Sequence, residues 1–404
     1  MGNFFSTGVQ FGNPGPDVYA LRAFAKKEPV VFMRRVEDLV ASGDITIHNI
    51  RNWGALYASL ADVQVPVTMQ IGGAHRSIMA SAFPILVGST VVKEIQDRYE
   101  SLPTIGEQLV TEIEDNKKVT TIASVHALDK NIDTVKETED FPEIGATEEA
   151  VEIRHKRNGR KLTISAEAIE ENESANIIEK VNGLAEIASD WIEEQTLRRV
   201  TDHDGSAASA AEPYVYRPDG TGTQLYNATA NNPGKRAPSG TRKTNNALVD
   251  DSNLDASRIV LAAMKNNRGT RIGIPQSEIQ LLVPDALVGV ASKIFNSEYV
   301  PGVEGEVSNY GPKGRWHLPP ERILSSPKMD DLSPGAWYHG AFKRQFRRKW
   351  KLMMEYVTLG ADTQAYLNSR IAFQARIAWD VEIGAVDYVF VVQNLSGTTA
   401  PKDE

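Results

Sequence analysis

The stretch from Lys136 to Gly205 constrains the fold most, because it joins a charged hairpin to a long amphipathic helix. Acidic residues dominate from Glu137 to Glu152, and a basic run follows at Arg154–Lys161. Within that run, Asn158-Gly159 suits the positive φ angles of a tight turn, so the sequence predicts a β-hairpin that turns there. A projecting hairpin with blocks of opposite charge needs a neighbouring molecule to cover it. The pattern therefore indicates that copies of one protein hold together.

The sequence predicts a long helix directly after the hairpin, from about Ser174 to Val200. Its apolar residues recur at steps of three and four and form a single stripe. At 1.5 Å per residue this helix would be roughly 40 Å long. We expect the stripe, and in particular Leu184 and Trp191, to lie in the core. Its members are Ile177, Val181, Leu184, Ala188 and Trp191.

Charge and cysteine content exclude several classes of protein. The 44 Lys and Arg residues stand against 53 Asp and Glu residues, a net charge of −9, whereas dedicated nucleic-acid binders carry a basic excess. The chain has no cysteine, so disulfides and thiolate metal sites are impossible. No apolar stretch reaches the 18 or so residues that span a bilayer, and no signal segment begins the chain. We therefore expect no membrane partner.

The motifs that could carry catalysis or hold a cofactor are incomplete. Asp202-His203-Asp204 is the one local cluster with metal-ligand chemistry, and we interpret it as a polar cap at the end of the long helix. The Gly-rich stretch 234–244 lacks the Walker spacing, and no nucleophile elbow is present. The sequence therefore predicts a protein that is not an enzyme, with no catalytic residues, no metal and no cofactor.

The segment Phe342–Tyr356 alternates apolar and basic residues. A period of two predicts a strand with an apolar face and a basic face. Aromatic and cationic side chains together are typical of single-stranded nucleic-acid binding, but here they fall on opposite faces. We prefer the hypothesis that the cations pair with carboxylates of an adjacent subunit. The cations are Lys343, Arg347, Lys349 and Lys351.

This order of elements resembles the major capsid protein of tailed bacteriophages. The resemblance covers about Phe83 to Asn394 and rests on element order rather than on one motif. It implies an α+β fold of the Hong Kong ninety-seven type, with an N-arm, an extended hairpin loop, a spine helix, a peripheral domain and an axial domain. The segments that carry it are the hairpin, the spine helix ending at Val200–Gly205, Gly220–Leu225, a helix at Leu254–Met264, a strand and helix at Glu278–Leu287, and an aromatic strand at Gly335–His339.

The resemblance also implies a division of the chain. The N-terminal arm would comprise residues 1–82, and the extended hairpin arm residues 127–162. The peripheral domain would comprise 83–126, 163–253 and 341–384, with the spine helix at about 174–200. The axial domain would comprise 254–340 and 385–404.

The function implied is self-assembly into hexamers and pentamers that form an icosahedral head around double-stranded DNA. The protein would be made and assembled in the bacterial host cytoplasm and end in the virion. Its partners would be itself, portal, scaffolding and decoration proteins, and packaged DNA by non-specific proximity. Two alternatives stay open: an encapsulin-type nanocompartment shell, and, much less favoured, a soluble hydrolase.

Two groups of residues are expected at contacts between subunits. In the hairpin arm they are the cations Arg154, Lys156, Arg157, Arg160 and Lys161. The N-arm has little core of its own, and its expected apolar anchors are Phe4, Phe5, Phe11 and Tyr19. Some relatives join subunits by an isopeptide bond from a hairpin lysine to an asparagine. Lys156 matches that lysine, but Asp362 stands where the asparagine would be, which argues against a crosslink.

Overall fold

The fold is that of a computed structural model. It describes residues 18–43, 45–47, 60, 64–71, 74–117, 119–127, 146–154, 156–165, 167–168, 174–203, 225–226, 236–266, 269–296, 318–360 and 371–397. The chain divides into two compact units. The first comprises Met1–Pro103, Arg157–Trp191 and Leu352–Trp379, and the second Thr104–Lys156, Ile192–Lys351 and Asp380–Glu404.

The α-helices among the described residues range from one turn to a long spine helix. They are α1 (Val18–Lys27), α2 (Pro29–Ala41), α3 (Ala82–Ser101), α4 (Gly106–Leu109), α5 (Ser174–Thr201), α6 (Asp251–Ala262), α7 (Val288–Asn296), α8 (Lys328–Leu332) and α9 (Phe342–Gln345). Short 3-10 helices occur at Gln276–Glu278, Asp285–Leu287 and Pro320–Arg322. Within the described part of the chain, every helix is too short or too polar to cross a membrane.

The described strands are β1 (Gln64–Ile71), β2 (Ala74–Ser81), β3 (Thr111–Glu114), β4 (Val119–Ala127), β5 (Ala146–Arg154), β6 (Lys156–Ser165), β7 (Arg242–Lys243), β8 (Gln280–Pro284), β9 (Ile323–Ser326), β10 (Ala336–Gly340), β11 (Phe346–Gly360), β12 (Ile371–Ala385) and β13 (Val391–Leu395). Two pairs, β1–β2 and β4–β5, are separate two-stranded sheets. A four-stranded sheet has the order β3–β11–β12–β6, and a five-stranded sheet the order β7–β13–β10–β8–β9.

The second unit contains the larger core. One cluster surrounds the five-stranded sheet with Tyr226, Tyr338, Phe342 and Phe346, all 0% exposed. A second cluster lies around Trp337, also 0% exposed. The helix α6 packs on this sheet, and its start is fixed locally: Asp250 accepts hydrogen bonds from the backbone of Ser252 and Asn253 in a capping box. Local capping and buried apolar area together explain this part of the fold.

The structure corrects the predicted turn at Asn158-Gly159. Residues Lys156–Ser165 form one strand, β6, beside β12, and neither Asn158 nor Gly159 has a positive φ. A Cβ on Gly159 would lie 2.5 Å from the carbonyl oxygen of Ile377. The glycine therefore permits close approach of two backbones rather than a turn. The hairpin strands are instead β4 and β5, and the intervening residues 128–145 lie outside the described ranges.

Candidate functional site

The hairpin β4–β5 lies next in sequence to the strand that carries the basic run. Its nine antiparallel pairs extend from Val119–Arg154 to Ala127–Ala146. Three acidic residues lie in β5, at Glu148, Glu149 and Glu152. β5 ends at Arg154 and β6 begins at Lys156, so these acidic residues and the cations of β6 occupy consecutive strands.

The cations of β6 lie on its exposed part. Lys156, Arg157, Arg160 and Lys161 are all exposed, whereas Leu162 and Ile164 farther along the strand are buried. Arg160 and Lys161 form no ion pair with any residue that the structure describes. These two guanidinium and ammonium groups are therefore available to an acceptor outside the described chain. For Arg154, the structure describes the backbone at the end of β5 and not the side chain.

A groove follows one side of α5 in the first unit. It encloses about 570 Å³ and is lined by Ile178, Glu179, Asn182, Gly183 and Glu186. A Cβ on Gly183 would meet nothing within 4 Å. The side-chain oxygen of Asn182 is buried and has no hydrogen-bond partner among the described residues. The groups that this groove offers to a partner are therefore the carboxylates of Glu179 and Glu186.

The surroundings of this groove, termed here the α5 groove, are acidic and apolar. The carboxylate of Glu186 lies 2.5 Å from the guanidinium of Arg98, and both side chains are well exposed. One helical turn from Gly183, Ile187 is 51% exposed although it is a large aliphatic residue. An exposed aliphatic side chain beside carboxylates suits a partner that brings cations and methylene groups, such as arginine or lysine side chains.

The apolar stripe of α5 is buried on the opposite side. Ile177, Val181, Leu184 and Ala188 are at most 6% exposed. Trp191 is only partly buried, and its ring lies 5.7 Å from the ring of Trp379, tilted by 57°. Trp191 thus lies at the edge of the apolar stripe rather than at its centre. At that edge its large ring covers the buried Trp379.

We expect Trp191→Ala to lower the free energy of unfolding by about 3 kcal/mol, the lower end of the cost of truncating a core tryptophan, because the ring is only partly buried. Urea unfolding followed by circular dichroism measures this loss. Trp191→Phe should restore most of it by keeping an aromatic ring against Trp379. A loss under 1 kcal/mol for Trp191→Ala would show that the pair contributes little.

The C-terminal end of α5 is held by a buried polar cluster in the second unit. The hydroxyl of Tyr226 donates to the carbonyl of Val200 at 2.8 Å, and that of Tyr338 donates to the carbonyl of Thr201 at 3.1 Å. Asp202, the next residue, has a φ of 56° and accepts the backbone N–H of Leu225 at 2.8 Å. His203 contacts the carbonyl of Leu332 at 2.8 Å through Nδ1.

This arrangement is consistent with Asp202 and His203 acting at a helix end. Asp204 lies outside the described ranges, and no group of three or more side chains that could hold a metal ion occurs among the described residues. Two tyrosine hydroxyls satisfy carbonyls that the helix itself leaves without partners. These contacts could not be predicted from the sequence, because Tyr226 and Tyr338 are 26 and 137 residues from their carbonyl partners.

The basic strand differs from its prediction. Phe342–Gln345 forms the short helix α9, and β11 begins at Phe346. Lys349 is 0% exposed, lies 3.4 Å from a carboxylate oxygen of Asp115 and donates to the carbonyl of Lys117. Arg348 pairs with Glu112 across the parallel β3–β11 ladder. Lys349 and Arg348 therefore pair with carboxylates of the same chain, and Lys349 is buried rather than available to an adjacent subunit. Lys343 is exposed, and Arg347 and Lys351 are half-buried.

The surroundings of Asp115, including its ion pair with Lys349, lower the pKa of its carboxyl group. Hydrogen bonds from Thr120 and from the backbone of Lys117, with the charge of Lys349 nearby, lower the pKa of Asp115 to about 2. The sequence could not reveal the ion pairs between these two strands, because their members are distant along the chain: Glu112 and Arg348 are 236 residues apart. From the sequence alone, alternating cations that pair with a distant acidic strand cannot be distinguished from an exposed basic surface.

Ser257 and His339 are the described residues that most resemble a nucleophile and its base. Ser257 Oγ lies 3.4 Å from His339 Nδ1. However, Ser257 is 0% exposed, and its oxygen accepts a hydrogen bond from Asn394 at 3.0 Å. Burial lowers the pKa of His339 to about 4. The hydroxyl is closed to substrates, although the imidazole borders a cavity of about 410 Å³ between α6 and the 272–279 segment. The pair belongs to a buried polar network.

The remaining predicted contact residues are only partly described. Tyr19 lies in α1, where the structure describes the backbone and not the side chain. Phe4, Phe5, Phe11 and Asp362 lie outside the described ranges. Neither the N-arm anchors nor a crosslink partner for Lys156 can therefore be placed.

Comparison with known proteins identifies one family. The sequence model of a family described as phage capsid protein matches residues 148–395, more than half of the chain. A search of curated proteins finds no match.

Among solved structures, the fold is similar to the capsid of a native GTA particle, with 11% identity and a TM-score of 0.43 over 74% of this chain and 92% of that one. It is similar to a virus-like particle from Pyrococcus furiosus, with 8% identity and a TM-score of 0.41 over 75% and 97%. It is also similar to the mature capsid of bacteriophage PhiM1, with 11% identity and a TM-score of 0.43 over 74% and 89%.

Proposed function

The chain belongs to the phage capsid protein family and is a structural major capsid protein of the virion whose copies associate into capsomers, and from this premise we propose how they hold one another. The contact joins the basic part of β6 on one copy to the α5 groove of a neighbour. Hexamers and pentamers built on such contacts close into an icosahedral head around double-stranded DNA, with the acidic chain contacting that DNA only by proximity. Portal, scaffolding and decoration proteins are further proposed partners.

The observation that carries this proposal is the complementarity of two surfaces. Arg160 and Lys161 are exposed cations with no described ion pair, and the α5 groove presents Glu179 and Glu186. A guanidinium has five donors in a fork that matches a carboxylate. A single exposed pair contributes about 0 to 1 kcal/mol, but a closed shell repeats each contact in every copy.

We expect the double variant Arg160→Glu/Lys161→Glu to remain folded and to fail to form shells, because two attractions become repulsions. Circular dichroism checks the fold, and electron microscopy with sedimentation checks the shells. Adding Glu179→Arg to this variant should restore part of the assembly by exchanging the charges. Lys180→Glu, which reverses an exposed cation on the same helix outside the groove lining, is the matched control and should assemble normally.

A steric variant tests the groove without changing its charge. Gly183→Leu should keep α5 helical, because leucine is a better helix former than glycine and the position is open, but its side chain fills the groove. We expect folded subunits that assemble poorly. Normal shells from both Gly183→Leu and Arg160→Glu/Lys161→Glu would contradict the proposed contact while leaving membership of the capsid family untouched.

A further inference from the structure

The junction between the end of α5 and residues 225–226 contains a carboxyl group in an unusual position. Asp202 is 7% exposed, and its left-handed backbone directly follows the last residue of α5. One carboxyl oxygen accepts the N–H of Leu225, and the other, Oδ1, is buried without a hydrogen-bond partner among the described residues. The backbone N–H of Tyr226 also favours the ionised form, but one buried oxygen of the carboxylate stays unpaired, so the site is poor for the charged form.

The groups that face Asp202 come from every element packed around it. Tyr226 and Tyr338 lie with ring centroids 5.6 Å apart, and their hydroxyls are already engaged with the carbonyls of α5. Arg242 of β7 donates to Gln393 at 2.6 Å, and Arg199 of α5 lies 3.2 Å from Glu382. Both arginines act electrostatically on Asp202, but each is committed to another acceptor. Cations therefore lie near Asp202, but none of these contacts is a salt bridge to its carboxyl group.

We propose that this junction is a proton-linked joint: Asp202 fastens the end of α5 to residues 225–226 as a neutral carboxylic acid, and the joint weakens when Asp202 ionises. Burial raises the pKa of Asp202 from 3.8 to about 7, against smaller opposing effects of the N–H groups of Leu225 and Tyr226 and of the charges of Arg242 and Arg199. A change of charge inside the physiological range thus acts on the spine helix of every copy. No other molecule is required for the change.

The sign of the effect follows from linkage. The folded pKa of Asp202 lies above the unfolded value, so the stability that its neutral form contributes is complete below about pH 4. It is lost as the pH rises through about 7 and is constant above that. Over this window the unfolding equilibrium constant should rise about tenfold per pH unit from this group alone. Burial also raises the pKa of Glu382, which acts in the same direction, so the contribution of Asp202 must be obtained by difference.

The experiment compares urea unfolding of the full-length, unassembled subunit at pH 5, 6, 7 and 8 for the native chain, Asp202→Asn and Tyr226→Phe. We expect Asp202→Asn to gain stability relative to the native chain as the pH rises, by about ninefold in the equilibrium constant between pH 5 and 6 and about fivefold between pH 6 and 7. Tyr226→Phe removes one hydroxyl that caps α5, so it should lower stability equally at each pH and keep the native pH dependence. Parallel curves for Asp202→Asn and the native chain would overturn the proposal.

Two further measurements keep the test decisive if Asp202→Asn folds poorly. Asp202→Gly removes the carboxyl and accepts a φ of 56° without strain, and it should show the same loss of pH dependence. Carbon-13 NMR of aspartate carboxyl groups in the native subunit needs no variant. A carboxyl titrating near pH 7 supports the joint, and the absence of any aspartate titrating between pH 6 and 8 refutes it.

Discussion

Replacing Gly340 by alanine should unfold the second unit. Gly340 ends β10, the middle strand of the five-stranded sheet, with a φ of 155°. A Cβ there would lie 2.1 Å from the carbonyl oxygen of Phe390 and 2.8 Å from the Cα of Val391. Both are backbone atoms that hydrogen bonding holds in place, since Ala341 N–H donates to that same carbonyl. We expect a loss on the order of 5 kcal/mol, comparable with the whole stability of many domains.

The measurement is urea unfolding, or the yield of soluble protein if the variant fails to fold. Gly289→Ala is the matched control, because Gly289 lies inside α7 and its added Cβ would meet nothing within 4 Å. That substitution should change stability by less than about 1 kcal/mol, in the stabilising direction. A native-like midpoint for Gly340→Ala would mean that the close approach of β10 to residues 390–391 is wrong.

Replacing Asp387 by alanine should cost about 3 to 5 kcal/mol, the usual penalty for removing one partner of a buried ion pair. Asp387 lies 2.7 Å from the guanidinium of Arg236, and the two side chains are only 12% and 9% exposed. Arg236 also lies over the ring of Tyr388, 5.5 Å from its centroid. Losing the carboxylate removes this charge partner from a guanidinium in a desolvated site.

A second variant separates the buried charge from the loss of packing. Arg236→Met/Asp387→Leu replaces both charges by apolar side chains and should recover much of the loss. The exposed pair between Arg258 and Asp255 is the control, because its side chains are 37% and 38% exposed. Asp255→Asn should change the unfolding free energy by no more than about 1 kcal/mol. Equal losses for Asp387→Ala and Asp255→Asn would contradict the importance of burial.

Local signals in the sequence predicted the helices and several strands well. The periodicity that predicts a helix at 174–200 matches α5, and the predicted helix at 254–264 overlaps α6. The aromatic strand expected at Gly335–His339 matches β10 within one residue. These elements follow from side-chain periodicity and caps, which act over a few residues and can be recognised in a single sequence. The α+β class and the capsid family are confirmed as well.

Features that depend on distant residues could not be predicted. Gly159 looked like a turn residue, but it accommodates the backbone of Ile377. Lys349 looked like part of a basic surface, yet it is buried beside Asp115. The groove on α5 and the polar cluster at Asp202 likewise depend on tertiary packing. The division into arm, hairpin, peripheral and axial domains, and the role of the hairpin cations, stay predictions.

Because β3 pairs in parallel with β11, the order in which the chain is translated limits when this sheet can form. Residues 111–114 pair with residues 347–350, so β3 has no described partner strand until β11 has been translated. At typical translation rates, the 236 residues between Glu112 and Arg348 take roughly 10 to 50 seconds to make. Such distant contacts also slow folding itself. This sheet therefore cannot form until β11 has been made, long after the synthesis of β3 itself.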